Sequence, residues 1–253
     1  MQLRRFYLPP PQCRGEVLRL EGREAHHAWH VLRLNGGDEA VVLDGAGNEF
    51  LCEVEGAAHD ALTLRVKKKT SVPPPACLIT LFIGIPKGKI IEDIIQKSVE
   101  LGARRIAPLL TERVVTRLDD AGARRKREQW EQVAIEAVKQ CGAAWLPEVL
   151  TPAPIQTFLS GQPKFDLQLA GSLQKERRHP RNVFQEYEKA NGHPPRTAGI
   201  WIGPEGDLAP DELKAILAAG AQPISLGNLV LRVETAAIYC LSVLNYEFNS
   251  IEK

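Results

Sequence analysis

Two segments near the C-terminus combine residue types and spacings that are suited to binding a ligand. The first, Gly203-Pro204-Glu205-Gly206-Asp207-Leu208, follows an apolar run and precedes an acidic helix start. Two glycines and a proline make a tight loop whose backbone can approach a ligand closely, and ligands of α/β sheets bind at the carboxyl ends of strands. Taken alone, this loop is better explained as a plain turn between a strand and a helix.

The second segment, residues 225–236, also lies between a predicted strand and a predicted helix. Loops are normally polar, but this one carries four apolar side chains: Leu226, Leu229, Val230 and Leu231. An apolar loop with exposed backbone amides suits a flat heterocycle such as adenine. Arg232 and Glu234 follow at the start of the last predicted helix. The two segments together predict a ligand site.

A third glycine-containing segment, residues 84–90, resembles a phosphate-binding loop. Its spacing is one residue too short, and Ile90 stands where a serine or threonine would bind magnesium. A nucleotide triphosphatase is therefore disfavoured. The remaining interpretation is that this segment is a basic turn between a strand and a helix and contacts a substrate.

His26 and His30 lie four residues apart on one predicted helical face and form a possible metal pair. His27 replaces the glutamate of a zinc protease helix, and no third ligand is evident. A polar helix face is the preferred interpretation.

Residues 104–127 are rich in arginine and lysine and span the end of a predicted strand and the start of a predicted helix. Phosphate contact and an ordinary solvated surface explain this cluster equally well.

The composition is that of a globular protein. Of 253 residues, 44% are hydrophobic and 25% are charged, and 32 basic residues against 31 acidic ones leave a net charge of +1. This excludes a mainly disordered chain and a uniformly basic coat. No apolar run approaches the roughly 20 residues of a membrane span, and three prolines at 9–11 argue against a signal peptide. Five scattered cysteines without a CxxC pair predict reduced thiols and a cytoplasmic location.

The apolar pattern divides the chain in two. Residues 1–70 predict a small barrel, with strands at 17–20, 39–43, 50–54 and 62–66 and a helix around 23–32. Residues 67–75, charged and then proline-rich, predict a stiff linker, with domains at 1–72 and 73–253. The alternation that follows predicts a parallel α/β sheet. Its predicted strands are 78–85, 106–110, 165–170, 199–202 and 223–226, and its predicted helices are 90–101, 124–141, 211–219 and 234–248.

The GPEG loop followed by LGxxxLRxETA resembles the SPOUT class of S-adenosylmethionine-dependent RNA methyltransferases. The rest of the chain resembles the RsmE family, which methylates N3 of a uridine in small-subunit ribosomal RNA. The resemblance runs almost end to end. Its further matches are Arg4-Arg5-Phe6-Tyr7, His27 with Val31-Leu32-Arg33-Leu34 and Gly37-Asp38, Lys87-Gly88, Gln96-Lys97 with Glu100-Leu101-Gly102, Thr111-Glu112-Arg113 and Gln140-Cys141-Gly142.

This resemblance implies an N-terminal PUA-like β-barrel, a C-terminal α/β domain with a trefoil knot and helices on both sheet faces, and a homodimer. It implies S-adenosyl-L-methionine as the cofactor, no metal, no membrane, and 16S ribosomal RNA or the small subunit as partner. The implied cofactor-binding residues are Ala170, Gly171, Ile202, Gly203, Pro204, Glu205, Gly206, Leu226, Gly227, Asn228, Leu229 and Leu231. The implied RNA-binding residues are Arg4, Arg5, Arg33, Lys87, Arg113 and Arg117.

Three positions depart from the family pattern. Leu229 stands where a basic residue is common, Asp207 where a second glycine is common, and Ala143 where an arginine is common.

The implied reaction requires deprotonation, because the uracil imide nitrogen is neutral at pH 7 and nucleophilic only as an anion. Arg232 is the first catalytic candidate, since a guanidinium near O2 or O4 stabilises developing negative charge. Glu234 is the candidate proton acceptor. A carboxylate in the first turn of a helix is also favoured by the helix dipole alone, so the two explanations of Glu234 stand side by side.

Three alternatives remain. A related enzyme could act on a ribose 2′-hydroxyl or on transfer RNA, and a PUA-like barrel with basic patches could bind RNA without chemistry. Binding of S-adenosylmethionine separates the second alternative from the first. A dinucleotide-dependent enzyme is disfavoured, because the chain has no GxGxxG.

Overall fold

The computed structural model describes residues 4–58, 61–113, 118–161, 164–173 and 176–249. It divides into two compact units, residues 1–74 with 135–146 and residues 75–134 with 147–253. The sequence did not indicate that residues 135–146 pack with the first unit. None of the described helices combines the length and the apolar content needed to cross a membrane.

The first unit is built on a five-stranded sheet in the order β1-β3-β4-β5-β2. Its strands are β1 (Arg4–Tyr7), β2 (Val17–Glu21), β3 (Glu39–Leu43), β4 (Asn48–Ala58) and β5 (Ala61–Ser71). The β1–β3 pair is parallel and the other pairs are antiparallel. Two register shifts in the β4–β5 ladder, at Leu51/Cys52 and Val54/Gly56, bend the long strands. The result is a curled sheet, in agreement with the small barrel that the sequence predicts for this region.

Alternation along the strands places one face of this sheet in the core. In β2, for example, Leu18 and Leu20 are buried while their neighbours are exposed. One helix covers the core. It starts as α1 (Gly22–His26) and continues as a π-helical turn (His27–Val31), and it contributes the buried side chains Ala25 and Ala28.

The prediction that residues 67–71 begin a linker is wrong. These residues continue β5, with Lys68 opposite Leu51 and Lys69 opposite Phe50. Lys67 pairs with Glu53, and the Lys69 ammonium lies 5.4 Å from the centre of the Phe50 ring. The run of charges is therefore the exposed end of a paired strand, and partner strand β4 supplies the pairing that local composition does not reveal.

The second unit alternates strands and helices as predicted. Its strands are β6 (Leu78–Gly84), β7 (Arg105–Leu110), β8 (Glu148–Val149), β9 (Ala153–Pro154), β10 (Leu167–Gly171), β11 (Thr197–Ile202) and β12 (Gln222–Ile224). Its helices are α2 (Ile90–Glu100), α3 (Asp120–Cys141), α4 (Ile155–Gly161), α5 (Pro180–Asn191), α6 (Pro210–Ala218) and α7 (Val233–Asn249), and α3 is divided between the two units at residue 135. Strands β1, β8 and β9 and helices α4 and α5 were not predicted from the sequence.

The second sheet is parallel throughout, in the order β12-β10-β11-β6-β7-β8 with β9 also on β7. This confirms the predicted parallel α/β sheet. Strand β10 lies between β12 and β11, with Gly171 opposite Ile224 and Ala170 opposite Trp201. The carboxyl ends of β10, β11 and β12 therefore meet at one edge, where the predicted ligand loops leave the sheet.

Helices cover both faces of this sheet, as predicted. On one face, the Phe82 and Trp201 rings stack with centroids 3.8 Å apart, beneath apolar residues of α4 and α6 such as Phe158 and Ile216. On the other face, α7 packs against α2 and against strands β6 and β11, and Phe248 of α7 meets Phe184 of α5 edge to face.

Candidate functional site

A cavity of about 450 Å³ opens at the carboxyl ends of β10, β11 and β12. Its volume lies within the roughly 300–1,000 Å³ of small-molecule pockets. The wall comes from residues 171–173 with Arg177, from the loop after β11, from the loop before α7 and from Ile90 at the start of α2. The two segments singled out in the sequence thus face each other across one cavity.

Most of the predicted ligand-binding residues line this cavity. They are Gly171, Ile202, Gly203, Pro204, Glu205, Leu226, Gly227, Leu229 and Leu231, together with the catalytic candidates Arg232 and Glu234. Ala170, Gly206 and Asn228 do not belong to the lining. Ala170 is fully buried and its side chain joins the core beneath α4 and α6, because successive strand residues face opposite ways. Gly206 and Asn228 are exposed in their loops.

The loop after β11 packs so tightly, both against the end of β6 and within itself, that a side chain at either of two glycines would clash. A Cβ atom on Gly84 would lie 2.5 Å from the backbone nitrogen of Pro204, and a Cβ on Gly203 would lie 2.9 Å from that of Leu208. Pro204 and Leu208 are both buried. The loop is therefore held in place by backbone contacts on two sides.

The backbone conformation at position 207 explains how the loop accepts Asp207 where a glycine is common in the family. The φ angle of Asp207 is +61°, in the left-handed region that glycine enters most easily. Aspartate tolerates this region better than most residues, and here its Oδ1 also accepts a hydrogen bond from the Leu208 backbone N–H at 2.8 Å. The loop thus keeps a glycine-like conformation without the second glycine.

Three side chains join the loop after β11 to its neighbours. Glu205 Oε1 accepts from the Lys87 N–H at 3.0 Å, and Arg113 Nη1 donates to the Gly206 carbonyl at 2.6 Å. Glu212 accepts at both oxygens, from the N–H groups of Glu112 and Ala209, each at 2.8 Å.

The loop before α7 has a different character. Leu229 and Val230 are each 77% exposed, and Gly227 has a φ angle of +111° with open space around its α-carbon. Ser225 Oγ accepts from the Gly227 N–H at 3.3 Å. Exposed apolar side chains beside a cavity mark a surface that a ligand or partner covers.

Both catalytic candidates reach the cavity from the start of α7, Arg232 from the position before the helix and Glu234 from its first turn. The Arg232 carbonyl accepts from the Ala236 N–H at 2.8 Å, which places Arg232 at the helix start with its side chain exposed. Glu234 is half-buried in the first turn. A cation and a carboxylate thus border the same space.

The cavity wall also includes Arg177, Ser172, Leu173 and Ile90, which the sequence did not mark as site residues. Arg177 donates from Nη1 to the Leu173 carbonyl at 3.3 Å, within the loop after β10. This loop carries no glycine-rich signature. Its involvement could have been inferred only by extending the predicted binding residues Ala170 and Gly171 into the loop that follows them.

The predicted RNA-binding residues of the first unit differ in their surroundings. Arg4 and Arg33 are exposed, and Arg33 has a φ angle of +54°. Arg5 instead donates from Nη1 to the Gln140 carbonyl at 3.2 Å and packs over Gly142, where a Cβ atom would lie 2.8 Å from its Cζ. Arg5 therefore has a packing role that the sequence did not indicate.

In the second unit, Lys87 and Arg113 are exposed, and Arg117 lies outside the described residues. The basic cluster around them is partly neutralised by neighbours. Arg105 pairs with Glu148 at 2.8 Å, and Arg127 pairs with Glu131 at 3.1 Å.

The rings of His26 and His30 lie with centroids 4.6 Å apart. Within the described ranges, no group of three or more His, Cys, Asp or Glu side chains is arranged to hold a metal ion. The five cysteines are free thiols. Burial raises the pKa of Cys77 and of Cys240 to about 12, so both stay protonated at neutral pH.

Family comparisons agree with this geometry. Residues 73–245 match the model of an RNA methyltransferase domain, and residues 20–67 match that of an RNA methyltransferase PUA domain. Ribosomal RNA small subunit methyltransferase E of Bacillus subtilis is 30% identical over 231 residues, 90% of this chain and 89% of that protein. Its counterpart in Synechocystis is 32% identical over 246 residues, 95% of this chain and 77% of that protein.

Solved structures extend the likeness to three dimensions. The putative methyltransferase Lpg2936 of Legionella pneumophila, in complex with S-adenosylmethionine, has a TM-score of 0.87 and 30% identity, covering 99% of this chain and 100% of that one. Ribosomal RNA small subunit methyltransferase E of Neisseria gonorrhoeae, bound to S-adenosylmethionine, has a TM-score of 0.86 and 25% identity, covering 98% of both chains. With both domain models matched and both relatives aligned over most of their length, the chain belongs to the RNA methyltransferase family of ribosomal RNA small subunit methyltransferase E.

Proposed function

We propose that this protein transfers the methyl group of S-adenosyl-L-methionine to N3 of a uridine in 16S ribosomal RNA. The observation that carries the proposal is the cavity at the ends of β10, β11 and β12, with Arg232 and Glu234 in its wall. Membership of the family supplies the substrate class. The cavity supplies a place for the cofactor next to groups suited to the chemistry.

The adenine of the cofactor lies against Leu226, Leu229 and Leu231, with the backbone of residues 203–205 on the other side. The exposed fraction of Leu229 supports this arrangement, because a leucine that is 77% exposed gains from being covered by an apolar heterocycle. The methyl group starts on a sulfonium cation, so its transfer needs no metal.

The reaction exchanges one proton and one methyl group. Glu234 accepts the N3 proton of uracil, and the guanidinium of Arg232 stabilises the negative charge that spreads onto O2 and O4. N3 then bonds to the methyl carbon as the carbon–sulfur bond breaks and its electron pair returns to sulfur. S-adenosylhomocysteine and 3-methyluridine are the products.

The RNA contacts come from exposed cations, since phosphates bind Lys and Arg without regard to base sequence. Arg4 and Arg33 are exposed in the first unit, and Lys87 and Arg113 in the second. The partner is 16S ribosomal RNA or the small subunit, in the cytoplasm. We also propose a homodimer, because α7 carries the exposed apolar side chains Tyr239 and Tyr246 in addition to its buried face.

Mass spectrometry of 16S ribosomal RNA from a deletion strain tests the function. We expect one 3-methyluridine to disappear and to return when the wild-type gene is restored. Unchanged 3-methyluridine would refute the proposal. Loss of a 2′-O-methyl nucleoside, or of a modification in transfer RNA, would assign the cavity to another RNA position.

A further inference from the structure

Three side chains, Glu205, Arg113 and Glu212, join loops that are far apart in sequence, and together they form what we call the loop clasp. Glu205 holds the loop after β6 through the Lys87 N–H, and Arg113 holds the loop after β11 through the Gly206 carbonyl. Glu212 holds the loop after β7 through the Glu112 N–H. These bonds involve the charged form of each side chain, which makes them stronger than neutral hydrogen bonds.

The sheet explains why these loops can meet. Strands β11, β6 and β7 are adjacent and parallel, so their carboxyl ends lie along one edge. Gly84 at the end of β6 lets the backbone of Pro204 approach closely. Residues 100 positions apart, such as Glu112 and Glu212, therefore come within hydrogen-bond distance.

The loop clasp connects the cavity to the candidate RNA contacts. Glu205 lines the cavity, and so does Ile90, which follows the Lys87 loop directly. Lys87 and Arg113 are exposed cations on the loops that the clasp holds. A molecule that packs against Glu205 and Ile90 restrains the same backbone that presents Lys87.

Glu212 makes one more hydrogen bond than the capping of its own helix requires, and the additional bond joins two loops. The bond from the Ala209 N–H to Oε2 is one half of a capping box at the start of α6, because the Ala209 methyl group has no oxygen that could accept a bond in return. The bond from the Glu112 N–H to Oε1 leaves the helix and reaches the loop after another strand.

We infer that the loop clasp couples the two binding events, so that a bound cofactor strengthens RNA binding and bound RNA strengthens cofactor binding to the same degree. This inference rests on the proposed function. Glu205 and Glu212 act here as positioning residues, since they hold backbone amides. The two effects must be equal because coupling between two ligands is reciprocal at equilibrium.

The coupling is measured as a ratio of affinities. The dissociation constant of a 16S ribosomal RNA transcript is determined without and with saturating S-adenosylhomocysteine, and that of S-adenosylhomocysteine without and with the transcript. The variants are Glu205→Ala, Glu205→Gln and Glu212→Ala. Asp211→Ala is the control, because it removes a neighbouring charge from the same turn of α6 but forms none of the clasp bonds given above.

We expect the wild-type ratio to be about 5-fold or more, the lower end of usual couplings. Glu205→Ala and Glu212→Ala should bring the ratio close to one. Glu205→Gln should keep it, because the amide oxygen still accepts from the Lys87 N–H. Asp211→Ala should also keep it. If loss of the cap unfolds Glu212→Ala, the comparison of Glu205→Ala with Glu205→Gln still tests the inference. Both of these variants should fold, because the Glu205 side chain is exposed.

Other outcomes overturn the inference. A wild-type ratio of one would show that the two binding events are not coupled. An unchanged ratio in Glu205→Ala and in folded Glu212→Ala would show that the loop clasp does not carry the coupling. In either case, methylation of the transcript would leave the proposed function standing. Equal losses of both affinities at a constant ratio would reduce the clasp to a purely structural role. A wild-type protein that binds no S-adenosylhomocysteine would overturn the proposed function and this inference with it.

Discussion

The loop after β11 and the loop before α7 border the same cavity but are held in opposite ways. In the first, Pro204 and Leu208 are buried, and Glu205 and Gly206 take part in hydrogen bonds to neighbouring loops. In the second, Leu229 and Val230 are largely exposed. One wall of the cavity is thus formed before any ligand arrives, and the other exposes apolar surface that a ligand can cover.

This difference predicts that the two loops contribute to ligand binding in different ways. A wall that is preformed loses little conformational entropy when a ligand binds. A wall of exposed leucines gains free energy from burial only in the complex. The residues proposed for chemistry, Arg232 and Glu234, follow the second loop directly. We therefore expect substitutions in the first loop to affect stability, and substitutions in or after the second to affect binding or rate.

The largest effect is expected for Arg232→Ala. The rate of methyl transfer should fall roughly 100- to 1,000-fold, as for loss of one group that stabilises a developing anion. The free energy of unfolding should stay near the wild-type value, because the Arg232 side chain is exposed. Affinity for S-adenosylhomocysteine should also stay near the wild-type value, because the guanidinium acts mainly on the anionic transition state. Single-turnover kinetics with saturating RNA measures the rate. A normal rate would remove the catalytic role and leave Glu234 to be tested.

Gly84→Ala should destabilise the fold. The added methyl group would lie 2.5 Å from the Pro204 nitrogen, and relief of such overpacking costs about 1–3 kcal/mol. Urea denaturation measures this loss, and cofactor affinity should fall with it. Gly161→Ala is the control, because its Cβ meets nothing within 4 Å. Equal stability of the two variants would mean that the first loop is not held by backbone packing.

Leu229→Ala, in the second loop, should lower cofactor affinity while leaving the stability of the fold nearly unchanged. The free energy of unfolding should change by less than about 0.5 kcal/mol, as is usual at exposed positions. Affinity for S-adenosylhomocysteine should fall about 10-fold, since burying a leucine contributes roughly 1.5–3 kcal/mol when complete. Leu208→Ala is the contrasting variant, because Leu208 is buried and should lose about 2–5 kcal/mol of stability. Calorimetry that shows unaltered affinity in Leu229→Ala would move the adenine away from this loop.

The smallest effect concerns Asp207, whose φ angle is +61°. Asp207→Gly should be more stable than Asp207→Ala by about 1 kcal/mol, because a non-glycine residue in the left-handed region costs roughly that amount. The alanine variant also loses the bond to the Leu208 N–H. Thermal denaturation of both variants checks the order. The reverse order would show that backbone conformation does not select the residue here.

Much of the site was readable from sequence because its signals are local. The glycines and proline of residues 203–206 and the apolar loop 226–231 lie next to apolar strands, so their position at strand ends followed from pattern alone. Buried parallel strands, such as β6, show as continuous apolar runs for the same reason. The resemblance carried by these loops supplied the cofactor and reaction.

Other features depended on partners distant in the chain, and only the tertiary structure decided them. Residues 67–71 form a strand because β4 pairs with them, although their charges resemble a linker. Arg5 packs over Gly142 instead of standing free, and Glu212 reaches the Glu112 N–H across 100 residues. The sequence by itself determined which segments leave strands and what chemistry they carry, because propensity and periodicity act between near neighbours. Which loops meet was decided by the insertion of β10 between β11 and β12, a non-local pairing that no local pattern encodes.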